Sequence, residues 1–167
     1  MIRTETGEFK MDDYELIIHP ELSREDFVQG DIRISGSEVV TETGFTTYRF
    51  AGCLDGFGAD FAINFRFENL HRLLFRSEDT LSRWRKFREE TAAAEKLSKD
   101  AWVQAVNKWG KITGDGERIQ KGLNDTWLAR TIGTPPPYEY EWGVIGSEIE
   151  PHLGEAVIAV RFCHSFS

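Results

Sequence analysis

The stretch FGADFAINFRF, residues 57–67, alternates without a break. Phe57, Ala59, Phe61, Ile63, Phe65 and Phe67 share one parity, and Gly58, Asp60, Ala62, Asn64 and Arg66 the other. Side chains along a strand point to opposite faces in turn, so this pattern specifies a strand buried on one face and wet on the other. One-sided burial is the mark of antiparallel sheets. The aromatic parity needs a second layer to cover it, so a sheet with something packed on one side is already implied.

The flanking segments agree with that frame. In YELIIHP, Tyr14, Leu16 and Ile18 alternate with Glu15, Ile17 and His19, and Pro20 stops the run. Ser23 with Asp26 three residues later is a helix-start signature, predicting one short turn of helix. Ile32 and Ile34 alternate, and Thr43-Gly44 divides VVTETGFTTYRF into the two arms of a hairpin. A turn near Glu68-Asn69 leads into LHRLLFR, completing a meander over residues 9–76.

At Ser77 the period changes. Leu81, Trp84, Phe87, Thr91, Ala94, Leu97, Ala101, Trp102, Ala105 and Trp109 recur in steps of about three and four, which winds into one wide helical stripe. The spacing predicts one long helix, or two with a slight break, capped at Gly110, and KITGDGE as a loop. A second helix starts near Glu117 with Ile119, Leu123 and Trp127 on one side, and stops at Gly133 before TPPP. A closing hairpin over 138–163 follows. Tyr138, Tyr140 and Trp142 face the core, Glu139 and Glu141 face water, and the phase change after Gly143 predicts a bulge at Gly143–Gly146. Ala156 to Phe162 is apolar at nearly every position, as a central strand is. The expected fold is α+β, one domain over 1–167: an antiparallel sheet of about six strands with two main helices (78–132) on one face.

Charge narrows the function. The net charge of −8 is uneven: residues 1–60 carry 13 acids and 5 bases, 61–130 carry 10 and 14, and 131–167 carry 5 and 1. Nucleic-acid binding needs clustered bases, and the bases of the middle segment are mixed with acids, so no nucleic-acid partner is expected. A basic protein partner fits, beside the plainer reading that the charge maintains solubility. No run approaches a membrane span, the amino terminus is charged, and Cys53 and Cys163 stand far apart. A cytoplasmic protein with reduced thiols is expected, one Cys53–Cys163 bridge being the alternative.

Signatures of catalysis are sparse. There is no H-E-x-x-H, C-x-x-C, G-x-G-x-x-G, phosphate-binding loop or G-x-S-x-G elbow. GCLDGFG reads as turns between strands. His19, His71, His152 and His164 are scattered, and the neighbours Cys163 and His164 would point apart on a strand. No cofactor or metal is expected. Glu139 with Glu141, and Glu148 with Glu150, have the two-residue spacing of paired carboxylates, about 7 Å apart on a strand. This allows a small carboxylate-pair hydrolase as one alternative, although acids facing outward beside inward aromatics read more simply as a solvated or binding face.

The last third adds a resemblance. Trp127-Leu128, Gly133, Pro135, Trp142-Gly143, Ser147, Pro151, Gly154, Ile158, Val160 and Phe162 resemble the ending of a loose group of small bacterial proteins. In that group a Trp-Leu helix end leads through a Gly-x-Pro linker to a Trp-Gly strand and an alternating final strand. Glu150 and PHLG stand where the pattern tends to have Asp before a basic turn. Such proteins resemble the immunity partners of polymorphic or contact-dependent toxins. The resemblance implies a non-catalytic, toxin-neutralising binding protein and assigns no residue a role. Sequence charge suggests the contact surface: Glu139, Glu141, Glu148 and Glu150, with Asp12, Asp13 and Glu15 if the sheet brings them near. Trp142 reads as core rather than as an exposed anchor. An inhibitor of a host complex, of phage or accessory origin, is the other binding reading.

Overall fold

A computed structural model describes residues 1–105, 116–150 and 155–163. A small antiparallel sheet comes first: β1 (Ile2–Arg3), β2 (Glu8–Lys10) and β3 (Ile17–Ile18). Helix α1 (Arg24–Gln29) follows, its start capped by Ser23, whose Oγ accepts from Asp26 N–H. Strands β4 (Ile34–Val40), β5 (Phe45–Leu54), β6 (Phe57–Arg66) and β7 (Asn69–Phe75) form the meander. Helix α2 (Glu78–Leu97) and a further helix α3, residues 99–105, come next. After α4 (Gly116–Ile132) come β8 (Tyr138–Tyr140), β9 (Gly143–Glu150) and β10 (Glu155–Phe162). The main sheet has the order β4-β5-β6-β7-β10-β9-β8, antiparallel throughout. The molecule is α+β.

Register shows how the two faces divide. Ile63 opposes Leu73, Leu73 opposes Val160, Val160 opposes Ile145, and Ile145 opposes Tyr138, all of them buried. The adjacent row on the other face runs Thr47, Asn64, Arg72, Arg161, Val144, Glu139. Helices α1 and α4 and strand β2 bring aromatic rings to the cover of the apolar face. Helix α1 lays Phe27 against Tyr48, Phe50 and Phe65. Helix α4 sets Trp127 edge-on against Phe57 and Phe75. Strand β2 brings Phe9 to Trp142 and Phe162. Phe9, Phe27, Phe50, Phe61 and Phe65 are fully buried, each contributing about 2–3 kcal/mol of transfer free energy.

Several expectations change. Among the described residues the main sheet has seven strands rather than about six, and the three-stranded sheet beside it was not foreseen. Of the two predicted helices, α4 lies on β9 and β10, whereas α2 packs mainly on α4. Tyr14–His19 yields only the two residues of β3. Of the two readings of the long stripe, the broken one holds: Ser98, whose backbone is extended and whose Oγ accepts from Ala101 N–H, closes α2 and caps α3. The closing hairpin is three strands: a turn at Glu141–Trp142, not a bulge, carries the phase change after Gly143. A Cβ at Gly143 would overlap the Arg161 carbonyl oxygen. Phe67, on the buried parity of the pattern, stands in the β6–β7 turn at φ +54° and is 67% exposed. The predicted cap at Gly110, the 111–115 part of the predicted loop, the turn at Pro151–Gly154, His152 and His164 lie outside the described residues. Cys53 and Cys163 are free thiols, and no described helix is long and apolar enough to cross a membrane.

A buried polar knot fixes α2 and α4 to the sheet. The side chain of Asn124 is wholly buried; its Oδ1 accepts from Thr80 Oγ1 at 2.8 Å and its Nδ2 donates to Ser147 Oγ at 3.2 Å. Ser77, the cap of α2, donates its N–H to the same Oδ1 at 3.4 Å. Gln120 Oε1, one turn before Asn124, accepts from Ala156 N–H at 2.9 Å and holds the first half of α4 on β10.

Candidate functional site

The seven carboxylates singled out from sequence fall into two groups. Glu139 and Glu141 are exposed, Glu139 on the wet face of β8 and Glu141 in the following turn. Glu148 is bidentate with Arg161, at 2.5 Å to Nε and 2.7 Å to Nη2, and this ion pair holds its carboxyl below the usual range. Glu150 opposes Glu155, which is itself paired with Arg76. These four border the wet face on the β8–β10 side.

Asp12 and Asp13 have a different task. Asp12 Oδ2 accepts from Gly56 N–H at 2.9 Å, Asp13 Oδ1 from Cys53 N–H at 3.0 Å, and Asp12 N–H donates to the Cys53 carbonyl at 2.7 Å. Together they clip the small sheet to the tip of the β5–β6 hairpin. The Gly56 N–H lowers the Asp12 pKa. Glu15 is exposed, and its N–H donates to Asp31. The sheet does not merge the two groups, because β6, β7 and β10 lie between β5 and β9. Four strand steps span about 19 Å.

The hairpin tip gathers other acids that the sequence pattern did not mark. A cleft of about 380 Å³ is lined by Asp55, Phe57, Glu78, Asp79, Trp127, Arg130 and Thr131. Asp55 sits beside Gly56 in the turn at φ +50°, a conformation that Asp tolerates, and pairs at 3.0 Å with the amino-terminal ammonium. Glu78 and Asp79 form the first turn of α2, where the helix dipole favours negative charge. Asp79 joins Arg130 of α4 at 2.5 Å. Among the described residues Glu78 has no ion pair. Asp55 is met by the amino-terminal ammonium and Asp79 by Arg130, which leaves the Glu78 carboxylate to receive a cationic side chain in this cleft. Ser77 before Glu78-Asp79 was the available signal in the sequence. It marks an acidic helix start, and only the fold brings that start to the hairpin.

Cys53 lies nearby, and partial burial and the Asp12 carboxylate push its thiol up, away from the reactive thiolate. Among the described residues no group of His, Cys, Asp and Glu could hold a metal ion. No protein-family model, curated protein or solved structure matches this chain.

Proposed function

We propose that this protein is a non-catalytic binding protein that captures a basic protein partner at the acidic end of its sheet, and that the partner is a bacterial toxin domain neutralised by the encounter. The observation that carries the reading is the cleft: Glu78 unpaired on its rim, Asp55 and Asp79 beside it, and Trp127 with Phe57 on its wall. A Lys or Arg side chain entering there exchanges water for carboxylate oxygens, with the nearly buried Trp127 and Phe57 closing the wall behind it. Asp12 and Asp13 extend the same negative end. Complementary charge accelerates association from roughly 10⁵–10⁶ to as much as 10⁸–10⁹ M⁻¹s⁻¹ at low salt, which suits a protein that must reach its target before damage occurs. The resemblance of the carboxyl-terminal third to immunity proteins supports the toxin class. The hydrolase alternative loses support at Glu148, since a general acid needs its pKa raised and Arg161 acts in the opposite direction.

The test is capture by tagged protein at low salt, with Glu78→Lys run beside the wild type and both checked for unchanged melting. A basic toxin domain retained in equal stoichiometry by the wild type, released by salt and associating about tenfold more slowly with the variant is the expected result. Equal capture by Glu78→Lys, with equal salt dependence, would remove the cleft from the mechanism.

A further inference from the structure

Among the described residues the main sheet ends at β4 on one side and β8 on the other, and these two edges are unlike. Strand β8 is three residues long and directly follows Pro135–Pro137, so it offers little to an added strand. Strand β4 is seven residues long, has neither Pro nor Lys, and is exposed from Ser35 to Val40. Natural sheets blunt such an edge with prolines, lysines or coverage, and here the edge carries one bulge and one charge, Glu38. The bulge is tied down where Ser35 Oγ donates to the Arg49 carbonyl. Beyond it, a Cβ at Gly36 would meet open space.

The far end of the edge is apolar. Val39 is 61% and Val40 42% exposed. Gly44 N–H donates to the Val40 carbonyl, and Phe67 N–H donates to the Gly44 carbonyl. The exposed Phe67 ring packs over Gly44, close enough to exclude a Cβ there. A bulky residue at positive φ stores strain of about 1–3 kcal/mol, and such outliers gather at functional positions. Glu42 adds a second negative charge to this end.

We propose that β4 is a strand-addition site for an extended, basic segment of a protein partner. Main-chain hydrogen bonds along the bare edge supply affinity, and alternate side chains supply specificity. An incoming strand places a Lys or Arg across from Glu38 on the wet face and an apolar residue against Val39 on the other. Charge decides between this occupant and a second copy of the chain, which would bring −8 against −8. The inference rests on the basic-partner reading above but uses a different surface.

The probe is an acetylated, amidated decapeptide of alternating Lys and Val, titrated into the isotope-labelled full chain. Expected are amide shifts and slowed hydrogen exchange confined to residues 35–40, about tenfold weaker binding by Glu38→Lys, and no effect of Glu78→Lys. The same peptide with alternate amides N-methylated should not bind. Shifts that map to the cleft and vanish with Glu78→Lys, binding that survives N-methylation, or self-association of the free protein through β4 would each overturn the proposal. Glu38→Lys leaves the cleft intact and Glu78→Lys leaves the edge intact, so the two readings fail separately.

Discussion

Trp142 shows how much a single side chain holds. It is half-buried, stacks on Tyr140 at 5.1 Å, meets Phe9 and Phe162, and donates Nε1–H to the Thr4 carbonyl at 2.7 Å. It therefore joins β2, β10 and the β1–β2 turn. Trp142→Ala should cost about 3 kcal/mol, and Trp142→Phe about 1 kcal/mol for the hydrogen bond, both read from urea unfolding. A loss of partner binding with unchanged stability would make it an anchor instead. Asn124 is the second such residue. Asn124→Leu keeps similar bulk but removes the acceptor of the Thr80 O–H and Ser77 N–H and the donor to Ser147, and should destabilise by about 2–4 kcal/mol. If chemical denaturation places this variant within about 0.5 kcal/mol of wild type, the knot contributes nothing to stability.

Between elements, carboxylates act as ties. Asp31 accepts from the N–H groups of Glu15 and Leu16, Glu68 holds Arg24 of α1, and Glu148 holds Arg161 across β9 and β10. Backbone N–H groups lower the pKa of Asp31, Arg24 lowers that of Glu68, and Arg161 lowers that of Glu148. A depressed folded-state pKa contributes stability that is present above the unfolded value, about 4, and lost as pH falls through the folded value. Unfolding free energy should therefore hold from neutral pH to about pH 5 and decline below about 4. Asp31→Asn should flatten that decline, and an unchanged slope would dismiss Asp31 as a contributor. The elements themselves were legible where a local rule acts alone: β6 from strict alternation, α1 from Ser23 and Asp26, and the end of α4 from Gly133, which takes φ +84°. Where tertiary contacts decide, local reading fails. The short strand β1 has no period to read, the alternation over Tyr14–His19 forms only the two residues of β3, and Phe67 leaves its pattern because the β6–β7 turn falls one residue earlier.

For the whole molecule, the legible quantity was charge and the illegible one was distance. Counting acids shows where they lie along the chain, and it leads to Glu139, Glu141, Glu148 and Glu150 as a surface, joined by Asp12, Asp13 and Glu15 only if the sheet brings them near. Strand order then separates these groups and joins Asp12 to Asp55 and the start of α2. Strand order also bears on synthesis. Strand β10 lies between β7 and β9, yet it leaves the ribosome after every other described strand. Until then the meander ends at an unsealed β7, with Leu73 and Phe75 lacking the neighbours Val160 and Ile158. The nascent chain is therefore obliged to wait half-built, and a message cut short before the Glu155 codon would yield a sticky product for chaperones or proteases rather than a weaker version of the protein.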